Sequence, residues 1–72
     1  MLSDSLKKYR EEAAEILVFA HASRPILEEV HNASSRTGLI RALKKAKLSL
    51  GQSKHRNNLD TLIEMVEADP SL

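Results

Sequence analysis

The chain has 72 residues, eleven of them Lys or Arg and ten Asp or Glu, for a formal net charge of +1, and it contains no cysteine. This length supports one domain over residues 1–72, and the missing cysteines exclude disulfide and cysteine–zinc staples, so helix packing or self-association has to carry the stability. Leu, Ala, Glu, Lys and Arg dominate, while there are two Gly, two Pro, one Tyr, one Phe and no Trp, a composition that suits helices and not strands.

The most apolar stretch, Ala13 to Ala20, is eight residues long and contains Glu15. A membrane span needs about twenty apolar residues, so no membrane partner is expected. Met1-Leu2-Ser3-Asp4 lacks a basic start followed by an apolar run, and the chain reads as soluble and cytoplasmic.

A first helix is expected to start near Ser3 to Ser5, each a suitable N-cap. Leu2, Leu6, Tyr9, Ala13, Ile16 and Ala20 draw one stripe along it, widened at its end by Leu17 and Phe19. Lys7, Lys8, Arg10, Glu11, Glu12 and Glu15 take the other faces, where i,i+4 ion pairs are open to them. From Ile16 to Ala20 this helix is apolar round more than half its girth, which suits either the core of a monomer or the interface of a dimer.

Ser23-Arg24-Pro25 breaks the run, because proline disfavours helical geometry at the residue before it and fits the first turn of a new helix. A short second helix is expected from Pro25 to about His31, unless it fuses with the first through a proline kink. Its apolar positions are Ile26, Leu27 and Val30, and His31 and His21 are read as helix C-terminal residues favoured by the dipole. Asn32 to Gly38 reads as a connector, with Ser34, Ser35 or Thr37 capping the third helix.

That third helix carries Leu39, Leu43, Ala46 and Leu50 on one face, with Ile40 beside them and Gly51 as its stop. Gln52 to Asn57 reads as a loop, and Asn57 or Asn58 as the cap of a fourth helix in which Leu59, Leu62, Ile63 and Val66 are the core positions. Asp60 then falls in a first turn, and Asp69-Pro70 ends the helix. The fold class is therefore all-α, a small bundle of three to four short helices.

The near-zero net charge conceals a segregation. Met1 to Ala33 holds four basic and six acidic residues, Ser34 to Arg56 seven basic and no acidic, and Asn57 to Leu72 four acidic and no basic. The seven, Arg36, Arg41, Lys44, Lys45, Lys47, Lys54 and Arg56, are the candidate binding residues. On a helical wheel Arg41, Lys44, Lys45 and Lys47 lie away from the apolar stripe of the third helix. Three readings stay open for them. The face is solvated or paired with Glu64, Glu67 and Asp69; it meets nucleic-acid phosphates, with Lys54, His55, Arg56, Asn57 and Asn58 flanking; or it meets an acidic patch on a protein partner or a second subunit.

Asn58-Leu59-Asp60-Thr61-Leu62-Ile63, after a polar turn, resembles the last helix of the lambda-repressor-like DNA-binding domains. The resemblance covers a short stretch only, and the Gln and Ala pattern of that family's helix-turn-helix is missing upstream. It implies DNA contact through the basic segment.

Catalytic constellations are absent from the sequence. Glu28 and His31 have the Glu-x-x-His spacing of di-iron bundles, but that chemistry needs two such pairs. The two glycines lie thirteen positions apart, so there is no phosphate loop, and no Ser and His are arranged as nucleophile and base. The expectation is a non-enzymatic regulatory or adaptor protein without metal, cofactor or small-molecule substrate. It would act by protein–protein interaction or self-association with residues 39–50 as contact surface, or alternatively as a DNA- or RNA-binding regulator through residues 36–56.

Overall fold

A computed structural model describes residues 4–51 and 54–72. Four helices follow one another: α1 (Asp4–Phe19), α2 (Arg24–His31), α3 (Arg36–Leu50) and α4 (Lys54–Ala68). Helix α1 packs on α2, α3 and α4, and α3 packs on α2 and α4, in a body of 31 × 22 × 16 Å. The all-α class is as expected from composition, and α1 and α2 are separate helices.

The core is aliphatic. Leu6, Ala13 and Leu17 enter it from α1, Val30 from α2, Leu39, Ala42, Leu43 and Ala46 from α3, and Leu59, Leu62, Ile63 and Val66 from α4. All four core positions expected in α4 are buried. In α1 the buried line runs through Leu17, while Tyr9 and Ile16 only pack against its edge. Val18 and Phe19, in the segment expected deep in a monomer's core, are 60% and 66% exposed. The reason is local: Leu17 takes the inward side of the last turn of α1, and Val18 and Phe19, about 100° and 200° further round the helix, fall outside it.

The turn after α1 is a Schellman motif. Ala22 N–H donates to the Leu17 carbonyl at 2.9 Å and His21 N–H to the Val18 carbonyl at 3.1 Å. His21 therefore occupies the left-handed position, with φ +57°, where glycine is the usual residue. Replacing it is expected to help: His21→Gly should stabilise the protein by about 1 kcal/mol, because the side chain disfavours that conformation by about 1–2 kcal/mol. Urea unfolding followed by circular dichroism checks it, and an unchanged or lower midpoint counts against it.

Other boundaries differ from those the sequence suggests. Helix α3 begins at Arg36, capped by Ser35, whose hydroxyl accepts from Gly38 N–H at 3.1 Å, so Thr37 and Gly38 belong to the helix and not to the connector. Gly51 ends α3 as expected, with φ +64° and ψ −148°, a conformation that is essentially glycine's alone. Helix α4 begins at Lys54, so Lys54 to Asn57 are helical and Asn57 and Asn58 are not caps. The expected loop residues Gln52 and Ser53, and Met1, Leu2 and Ser3 at the start, lie outside the described residues. Asp60 consequently sits well inside α4 instead of in its first turn, where it pairs with Lys47 of α3.

Candidate functional site

The basic residues separate into two groups once placed. Arg36, at the first position of α3, turns towards the end of the chain. Its Nη2 donates to the carbonyls of Asp69 and Leu72, the latter at 3.0 Å. Those carbonyls flank a turn across Asp69-Pro70-Ser71, within which the Asp69 Oδ1 accepts from Ser71 N–H at 2.8 Å and from the Ser71 hydroxyl at 2.7 Å. The Tyr9 hydroxyl donates to the other oxygen of Asp69 at 2.6 Å and ties the turn to α1. Arg10 works similarly, its Nη1 donating to the Ala33 carbonyl at 3.1 Å across the α2–α3 connector.

This network changes the acidity of its members. The Ser71 hydroxyl, the Tyr9 hydroxyl and the Ser71 N–H hold the Asp69 carboxyl down at about 2, against an ordinary 3.8, with the Arg36 charge adding to them. The hydrogen bond to Asp69 raises the Tyr9 phenol above its ordinary 10.0. A carboxyl whose folded value is depressed stabilises the fold fully above its ordinary value, and that contribution is lost as pH falls through the folded value. Between pH 5 and pH 2 the thermal midpoint of the native protein should therefore fall more than that of Asp69→Asn, which keeps the shape of the turn but cannot titrate. Parallel curves for the two proteins would contradict this.

The second group lies on the outside of α3. Lys47 pairs with Asp60, Lys44 approaches Glu67 at 4.0 Å, and Lys45 meets Glu29 of α2 at 3.2 Å. Of the acids expected as partners, Glu67 is engaged with Lys44, while Asp69 serves Tyr9 and Ser71. These pairs join α3 to its neighbours; among the described residues no ion pair forms within α1, although its spacing allows i,i+4 pairs. Arg41 is exposed and enters no ion pair among the described residues. Lys54 is exposed at the start of α4, and Arg56 is half-buried one half-turn later.

Arg41, Lys44 and Lys45 share a shallow groove of about 370 Å³ with Thr37, Ile40 and Leu48. Leu48 is 79% exposed, the most uncovered large apolar side chain among the described residues. Its place follows from helical periodicity. Leu39, Leu43, Ala46 and Leu50 occupy the inward stripe; Ile40 flanks it and packs against the core, and Lys44 and Leu48, four and eight residues further on, turn progressively outward. Sequence spacing marks Ile40 only as a neighbour of the core stripe and does not single out Leu48. The available signal was a Leu set between Lys47 and Ser49 and off the buried stripe.

A second groove, about 340 Å³, is formed by Glu12, Glu15, Ile16 and Phe19 of α1 with His55 and Asn58 of α4. Among the described residues no cluster of His, Asp or Glu is placed to hold a metal ion, and no helix is long and apolar enough to cross a membrane. The chain matches no protein-family model, no curated protein and no solved structure.

Proposed function

We propose that the chain is a small regulatory or adaptor protein that acts through protein–protein contact, with the outer face of α3 as its contact surface and an acidic amphipathic helix as the partner that face accepts. The observation that carries this reading is Leu48. An apolar side chain 79% exposed, next to Ile40 and rimmed by Arg41, Lys44 and Lys45, offers an apolar anchor inside a cationic frame. A helix bearing Leu at i, i+3, i+4 and i+7 with flanking Glu complements both parts of it.

The same face is less suited to phosphates. Lys44, Lys45 and Lys47 each face a carboxylate, so a nucleic acid would meet Glu67, Glu29 and Asp60 beside the cations it seeks.

Fluorescence anisotropy separates the two. A labelled acidic amphipathic peptide should bind the protein, and Leu48→Ser or Arg41→Glu should each weaken that binding about tenfold. Labelled duplex DNA should not bind at about 50 mM salt. DNA binding at that salt that collapses at about 200 mM, with no response to the peptide, would replace this reading by the nucleic-acid one.

A further inference from the structure

We infer that the occupant of the α3 groove is the acidic face of α1 in a second copy of this chain, so that copies associate head to tail. This rests on the reading of the α3 face as a contact surface and names its partner. Three observations support it.

The first is complementarity of content. The α1 face presents Phe19, 66% exposed, and the half-buried Ile16, with Glu12 and Glu15 beside them. The α3 face presents Leu48 and Ile40 with Arg41, Lys44 and Lys45. Each is an apolar anchor in a charged frame, and the frames have opposite signs. Glu12, Glu15 and Arg41 enter no ion pair among the described residues and are open to a partner, and Lys44 would exchange its 4.0 Å contact with Glu67 for Glu15 of the second copy.

The second is register. Glu12, Glu15 and Phe19 repeat the spacing of Arg41, Lys44 and Leu48. The eight residues from the first to the last of each set span about 10 Å of helix. Laid side by side in parallel, the two helices place Glu12 opposite Arg41, Glu15 opposite Lys44 and Phe19 opposite Leu48.

The third is availability. The two faces share no residue, so one copy can use both at once. An interface that joins two different surfaces propagates, closing into a ring or growing as a chain. A net charge of +1 sets up little long-range repulsion between copies.

Sedimentation velocity from about 10 µM to about 1 mM tests this, a range suited to a small interface. The native protein should rise in mass with concentration beyond a dimer. Phe19→Ser and Leu48→Ser, both at exposed positions and verified as helical by circular dichroism, should each remain monomeric. Mixed in equal amounts they should form a dimer and stop there, because the intact α1 face of one meets the intact α3 face of the other. Glu15→Lys should abolish association, and adding Lys44→Glu in the same chain should restore it. A native protein that stays monomeric at about 1 mM, a mixture that stays monomeric, or a Leu48→Ser protein that still associates overturns the inference. The acidic peptide, titrated into the Phe19→Ser protein, keeps the two readings apart. Peptide binding without self-association leaves the α3 surface standing and removes only its partner, whereas loss of both removes the surface.

Discussion

Leu43→Ala should destabilise the protein by about 3 kcal/mol, within the range seen for buried leucines cut back to alanine. Leu43 is fully buried in the middle of α3, between the small residues Ala42 and Ala46. Its neighbours are aliphatic side chains held by four helices, so the space it leaves cannot close without moving a helix axis. A domain of this size commonly has no more than about 3–5 kcal/mol in hand. The variant should therefore be largely unfolded at 37 °C and show a urea midpoint near zero. Leu48→Ala, five positions further on, provides the control. It removes a side chain that is already in solvent, and its effect should stay within about 0.5 kcal/mol. Equal urea midpoints for the two variants would mean that the inward and outward faces of α3 have been exchanged.

Arg36→Ala should cost about 1–2 kcal/mol, the scale of losing hydrogen bonds from a charged donor at a partly buried site. The guanidinium is the only group among the described residues that holds both the Asp69 and the Leu72 carbonyls, and it does so from the first turn of α3. Its Nε is buried without a hydrogen-bond partner, as is that of Arg10, which offsets part of the gain and keeps the expected loss from being larger. The more diagnostic effect is local. With Arg36 gone, the amides of Ser71 and Leu72 should exchange with solvent faster, and the Asp69 carboxyl should titrate closer to its ordinary value. Arg36→Lys should not rescue the turn, since an ammonium on a single stem does not reproduce the guanidinium fork. Native-state hydrogen exchange and carboxyl titration by NMR read both changes, and unaltered exchange at these amides would show that the turn closes without Arg36.

How far the sequence could be read differs from one element to the next. Helix α4 was legible in its core, because Leu59, Leu62, Ile63 and Val66 keep an uninterrupted helical spacing and every one of them is buried. Its start was not legible, since His55, Asn57 and Asn58 are residues that favour turns and caps as readily as a first helical turn. The stretch from Asn58 to Ile63, which resembles a repressor-type last helix in sequence, lies inside α4 after the helical residues Lys54 to Asn57.

The basic segment shows the division most clearly. Seven cations without an acid between Ser34 and Arg56 could be counted in the sequence, but counting cannot tell a free cation from an engaged one. The fold commits Arg36 to the end of the chain and sets Lys44, Lys45 and Lys47 against carboxylates of α4 and α2, leaving Arg41 at the edge of an apolar groove.

What the sequence by itself determined was the all-α class, the inward stripes of α3 and α4, and the segregation of charge. These depend on periodicity and composition, which act within one helix and need no knowledge of its neighbours. Only the tertiary structure decided that Leu17 goes inward while Val18 and Phe19 stay out, that His21 takes a left-handed turn, and that Tyr9, Arg36 and Asp69 meet. Residues sixty and thirty-three positions apart are brought within hydrogen-bond distance by the packing of whole helices. No local rule of spacing or propensity reaches that far along the chain.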